Sequence, residues 1–296
     1  MTALLDRPAA RPGLFRDTGG VRPLWRVALF VVLTVVAVVG MLLAAAGVPL
    51  LRGLPPGTPV FFTMNEILLL IPVAGVTALM AWLEGRRFTS YGLAGPRRLP
   101  RLGQGSAAGV ALLAVAVAAL LLAGGGHSAW GGLSLLALPG WALAWAVASL
   151  LIAFTEEFAF RGYLLAVFLR RGRFWTGALL TSVIFGALHF SNSGEGLIGA
   201  ADAGLAGFIM ALAVRGTGSL WWSIGFHFGW DYAENFIAGT ADSGQVCAGA
   251  LLRTMPQGPA WLSGGATGPE GSVLALALLA GAAISVWRVF PRPANA

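Results

Sequence analysis

The sequence predicts an all-α membrane protein: a bundle of about eight transmembrane helices with both termini in the cytoplasm. Three observations lead there. Of 296 residues, 57% are hydrophobic and only 10% are charged, with a mean hydropathy of +0.79, whereas soluble domains run near ~25% charged. The chain also contains eight apolar runs that approach the ~20 residues a spanning helix needs, at 24–46, 60–83, 104–123, 139–169, 174–190, 196–214, 219–238 and 272–290. Finally, the arginines sit in alternate loops.

Arg7, Arg11, Arg16, Arg22 and Arg26 precede the first run, and Arg86, Arg87, Arg97, Arg98 and Arg101 follow the second. Arg170, Arg171 and Arg173 follow the fourth, Arg215 the sixth, and Arg288 and Arg292 close the eighth; the opposite loops hold only Arg52 and Arg253. Basic loops mark the cytoplasmic side, so an even number of crossings is required. Eight satisfies it. The first run is long and no small-residue cleavage site follows it, so it reads as a retained helix. Residues 1–23 then form a basic cytoplasmic tail, 24–290 a single transmembrane domain, and 239–271, rich in Gly and Pro, an external loop. Gly196, Ala200, Ala203, Gly204 and Gly207 give the close small-residue spacing that lets helices pack in lipid.

Composition also excludes. The formal charge of +7 does not point to nucleic acid, because the arginines are dispersed in short loops rather than clustered on a soluble face. The single cysteine, Cys247, rules out an internal disulfide and a cysteine-based zinc cluster. The abundance of Ala, Gly and Arg without lysine suggests a prokaryotic plasma membrane.

Ionisable groups inside the apolar runs carry the functional signal, since each costs at least ~2.5 kcal/mol near the centre of a bilayer. In LLIAFTEEFAFRGYLL, Glu157 and Arg161 are four apart and can pair on one helical face. Glu156 lies about 100° round the helix and has no sequence-local partner, which suits a group that takes and gives protons. The fifth run carries His189. The seventh places His227, Asp231 and Glu234 on one stripe, where a His–Asp pair serves either chemistry or a buried hydrogen bond. At 1.5 Å per residue, Glu156 and His189 each lie ~20 Å from the arginines between their runs, and His227 and Asp231 lie ~12 and ~18 Å from Ser219. These depths overlap, some way in from the cytoplasmic face, and a water-filled cavity would account for them. Asn65, Glu66 and Asp202 read as interfacial capping residues, and His127 has no assigned role.

Glu156-Glu157-x-x-x-Arg161, Phe185-x-x-x-His189 and His227-x-x-x-Asp231, in this order on successive helices, resemble the motifs of the CPBP intramembrane proteases. That family includes CAAX prenyl endopeptidases and bacteriocin-processing or abortive-infection-type proteins. The resemblance covers about 139–238. It implies an eight-helix bundle whose site opens toward the cytoplasm and an endopeptidase acting on a membrane-embedded or membrane-anchored peptide or protein. By the same resemblance, Glu156 is the general base that activates water, with His189 bonding that water. His227 and Asp231 stabilise the oxyanion, and Glu157 with Arg161 is a structural pair. Because an ionised Asp cannot donate a hydrogen bond, Asp231 is either protonated or, the favoured choice, orients His227 as an imidazolium donor.

No cofactor is favoured. Zinc held by Glu156, His189 and His227 is the alternative, since three protein ligands and a water make a catalytic zinc site, although H-E-x-x-H is absent. Two other classes stand beside the enzyme: a proton-coupled transporter, against which there is no inverted repeat, and a non-catalytic scaffold or immunity protein. A scaffold has use for the Glu157–Arg161 pair but no evident need for an unpaired Glu156.

Overall fold

The computed structural model describes residues 16, 17 and 20–291, so most of the basic tail, with Arg7 and Arg11, and also Arg292, lie outside the described residues. The chain is mainly helical. Helix α1 spans Pro23–Ala46, α2 Pro59–Leu83, α3 Arg98–Leu122 and α4 Leu138–Leu169. Helix α5 spans Phe174–His189, α6 Leu197–Thr217, α7 Trp221–Tyr232 with a π-helical continuation over Ala233–Ala238, and α8 Val273–Val289. All eight expected runs are therefore helical. Five of these helices (α1, α2, α3, α4 and α6) are long and apolar enough to cross a membrane, while α5 and α8 are shorter apolar helices.

Helix starts follow capping chemistry. Thr58 Oγ1 accepts from the Phe61 N–H, with Pro59 in the first turn of α2, and Ser272 Oγ accepts from Leu274 at the start of α8. Helix α3 begins at Arg98, six residues before the apolar run, because Arg101 finds partners there: it donates to the Thr217 carbonyl at 2.7 Å and Ser219 Oγ at 3.0 Å. Helix α4 is central, with Trp145, Ala148, Ala153, Phe158, Tyr163 and Leu165 at 0% exposure. Helix α1 is the reverse, burying only Pro23 and Phe30; its Val36 and Leu43 are 65% and 71% exposed, as a lipid-facing helix requires.

The arginine loops meet on one face. Glu84 lies 3.5 Å from Arg26, 3.7 Å from Arg86 and 3.7 Å from Arg170, and accepts from the Tyr163 and Tyr91 hydroxyls at 2.6 and 2.9 Å. Arg171 donates to the Val21 carbonyl, and Phe290 packs edge-on to Trp222. The opposite face is closed by the expected external loop, which is structured rather than open. Its Leu252–Pro256 pairs antiparallel with Gly126–Trp130, a two-residue hairpin joins Ala241–Asp242 to Gln245–Val246, and Ala248 donates to the Gly57 carbonyl.

Helices α3 and α7 make the closest pair. A Cβ on Gly105 or Gly109 would strike the carbonyls of Trp222 and Phe226, and one on Gly225 or Gly229 would strike those of Leu102 and Ser106. Two small-xxx-small stretches thus interlock, and this approach fixes the helix that carries His227. The small residues on α6 serve similarly: Gly186 of α5 faces Ala200 and Gly204, and Gly207 leaves the space that the Arg161 guanidinium occupies. Gly109→Leu is expected to lower stability by about 3 kcal/mol through overpacking, measured by thermal unfolding in detergent micelles. Gly103→Leu, on the same helix with nothing within 4 Å of its Cβ position, is expected to leave the melting temperature nearly unchanged.

Candidate active site

Helix α4 is regular through Glu157 and then π-helical over Phe158–Leu164. Such wide turns cluster at functional sites, and here the wide turn carries Arg161. The two glutamates before it have opposite surroundings. The Glu157 side chain is 0% exposed and accepts from Arg161 Nη1 at 2.8 Å. The Glu156 side chain is 32% exposed and lines a cavity of about 320 Å³ together with His189.

Arg161 is sealed, with its guanidinium 4.5 Å over the Phe185 ring and 5.6 Å from that of Phe160. A buried cation needs such company. Phe185 also meets the His189 ring edge-on at 4.7 Å and the His227 ring at 6.3 Å. It is the common wall between the ion pair and both histidines, a role that its spacing from His189 alone does not disclose.

His227 joins the two glutamates. Its Nδ1 lies 3.3 Å from Glu157 Oε1, and its Nε2 lies 3.6 Å from Glu156 Oε2 and 3.5 Å from Asp231 Oδ1. The sequence assigns the orienting contact to Asp231, but in the structure Glu157 holds the Nδ1 side of the ring. The Glu157–Arg161 pair is therefore also a histidine holder. His189 has its Nδ1 2.8 Å from the Phe185 carbonyl, so an Nδ1–H donates there and Nε2 is left for other partners. A second cavity, of about 40 Å³, joins His189 to His227 and Asp231 and is also lined by Asp202 and Glu270.

Two sequence readings are corrected. Asn65 and Glu66 do not cap α2, because Thr58 does; they lie two turns inside and line the larger cavity with Glu156. Glu66 is 8% exposed and its Oε2 has no hydrogen-bond partner among the described residues. Asp202 does not cap α6: it lies inside the first turns, 2% exposed, on the smaller cavity. Glu234, on the π turn that begins at Ala233, lies with Asp242 and Glu270. Among the described residues, that trio is the only acidic or histidine group whose candidate ligand atoms all lie within 4.8 Å of one another. Glu156, His189 and His227 are not gathered that tightly in this conformation.

The hairpin at 241–246 roofs the larger cavity. Asn235 donates to Asp242 Oδ2 at 2.7 Å, Ser243 and Trp230 each donate to Glu270 at 3.0 Å, and Asp242, Ser243 and Gln245 line the cavity. Burial, reinforced by the Glu270 carboxylate, pushes the Asp242 carboxyl up to about 7, and burial likewise raises Glu270. An unfolded Asp242 loses its proton near 3.8, so between that pH and about 7 the folded chain binds more protons. Stability from this source is present at low pH and lost as pH rises through that window. The melting temperature in micelles is expected to be higher at pH 5 than at pH 8, with Asp242→Asn flattening the difference. Arg161→Met, which leaves Glu157 buried and uncompensated, is expected to cost ~3–5 kcal/mol, and adding Glu157→Gln to return part of it in a double-mutant cycle.

No curated protein and no solved structure compared with this chain gives a significant match. Residues 138–233 match the family model for Rce1-like type II CAAX prenyl endopeptidases. The matched segment contains Glu156, Glu157, Arg161, His189, His227 and Asp231, and it accords with the resemblance to the CPBP proteases. Together with the long apolar helices, the match supports an integral membrane protein of the intramembrane endopeptidase type, similar over 138–233 to Rce1-like type II CAAX prenyl endopeptidases.

Proposed function

We propose that this protein hydrolyses a peptide bond in a membrane-associated protein or peptide, with Glu156 as general base and without a covalent intermediate. The observation that carries the reading is the contrast between the adjacent glutamates: Glu157 is sealed and paired, while Glu156 lines the cavity that His189 also lines. A water between Glu156 and the free His189 Nε2 gives its proton to the Glu156 carboxylate as its oxygen bonds the scissile carbonyl carbon. The tetrahedral intermediate then breaks its C–N bond, and Glu156 returns the proton to the leaving amine.

His227 is the oxyanion donor. As an imidazolium it gives Nδ1–H to Glu157, and with the ring so held its Nε2–H, now 3.5 Å from Asp231 and 3.6 Å from Glu156, is offered to the developing charge, which rewards a fixed donor with ~3 kcal/mol. Asp231, acceptor-only when ionised, holds that Nε2–H between turnovers. Both nitrogens of His227 thus have carboxylate partners in a mechanism that needs no resident metal. The zinc alternative would use the same Glu156, His189 and His227 and is tested by chelation.

Glu156→Gln is expected to reduce cleavage of a peptide substrate by at least ~100-fold with little change in melting temperature, read by mass spectrometry of products from the purified protein. His189→Ala and His227→Ala are expected to do the same. Retained cleavage by Glu156→Gln would sink the assignment, and loss of wild-type activity on chelation, restored by zinc, would favour the metal route.

A further inference from the structure

The larger cavity opens at one end of the bundle. Besides Glu156 and His189 it is lined by Ser191 and Asn192, just beyond α5, and by Asp242, Ser243 and Gln245 of the hairpin roof. Every one of these loop residues lies on the face opposite the arginine cluster. Helix α5 shows the distance: it starts beside Arg173 and runs 16 residues to His189, about 24 Å at 1.5 Å per residue. That is most of a ~30 Å hydrocarbon core. His189 is therefore near the far membrane surface, and the ~20 Å depth that places the site inward from the arginines also places it close to the opposite side.

Arginine-rich loops stay in the cytoplasm. The cluster is large and bound together by Arg26, Arg86 and Arg170 around Glu84 and by Arg101 on Thr217 and Ser219, whereas the cavity end holds only Arg52 and Arg253 among the described residues. The lining chemistry narrows what can enter. Phe61, Phe62, Ile152 and Leu188 offer an apolar wall; Glu66, Glu156 and Asp242 supply carboxyl groups; no arginine lines the cavity. Arg161 is sealed behind Phe185 with a 0% exposed side chain. A peptide's own terminal carboxylate would find carboxyl groups rather than a cation to receive it.

We propose, against the expectation of a site that opens toward the cytoplasm, that the cavity takes a neutral or basic peptide segment from the extracytoplasmic membrane face, so that the substrate is an exported or outward-facing membrane-anchored chain cut internally. This rests on the protease reading for the word substrate, and the test does not depend on catalysis. In the full-length chain with Glu156→Gln and Cys247→Ser, a single cysteine is introduced at Gln245, on the cavity rim, or at Ala94, in the arginine-bearing loop. Intact cells are treated with a membrane-impermeant maleimide. Gln245→Cys is expected to label in intact cells and Ala94→Cys only after the membrane is opened; the reverse pattern overturns the proposal. An apolar peptide with arginine flanks is expected to protect Gln245→Cys in purified protein, and its aspartate-flanked counterpart is not. Equal protection by both, or by neither, overturns the charge preference. Failure of the wild-type chain to cleave any protecting peptide, with outward labelling, would instead sink the protease reading.

Discussion

The Glu157–Arg161 pair is the constraint around which the rest of the bundle is arranged. Two opposite charges at 0% side-chain exposure are stable only if each finds what water would have supplied, and losing either leaves the other uncompensated. Four helices contribute. Helix α4 provides both charges, α5 lays Phe185 against the guanidinium, α6 clears space with Gly207, and α7 brings His227 Nδ1 to the same Glu157 oxygen that Arg161 holds. The pair thus links the packing of the bundle to the orientation of the histidine at its cavity, and no purely apolar replacement would do both.

Most of the fold is legible in the sequence for a simple reason. In lipid, every backbone group must be satisfied within a helix, so length, apolarity and arginine placement determine the elements. What the apolar pattern hides is local. The π turns at Phe158–Leu164 and Ala233–Ala238 leave hydropathy unchanged, so the apolar pattern does not announce them. Gly105, Gly109, Gly225 and Gly229 carry a readable small-xxx-small signal for the α3–α7 contact, although it lies outside the stretch that composition marks most strongly. The outer loop is ordered by long-range pairing between strands more than a hundred residues apart, and its local composition cannot report that.

The site is legible to a different degree. Glu156, Glu157, Arg161, His189, His227 and Asp231 are visible because ionisable groups are expensive in lipid and stand out. Asn65, Glu66 and Asp202 are just as visible, yet position along the helix reads them as caps; their roles depend on which neighbour's face they meet. Glu66 is the clearest case. It lies on a helix far from the motif-bearing segment in sequence and lines the cavity of Glu156 only because α2 packs along α4. One spacing rule also cuts both ways. Four-residue separation allows His227 to meet Asp231, and the two do lie 3.5 Å apart, but the ring's other nitrogen is held by Glu157, seventy positions earlier in the chain.

Glu156 and Glu157 show how environment divides labour between identical neighbours. They share a helix turn, a depth and a partner, since His227 faces Glu157 through Nδ1 and Glu156 through Nε2. What separates them is access. Glu157 has no route to solvent and is fixed by Arg161, so its charge can only orient. Glu156 faces a cavity of about 320 Å³, and its contact with His227, at 3.6 Å, is longer than a hydrogen bond. A proton taken up by Glu156 changes the charge next to Nε2 without disturbing the bond that holds Nδ1. In the mechanism proposed above, the base can therefore change protonation during turnover while the oxyanion donor keeps its position, and this follows from placing one glutamate on each side of the same ring.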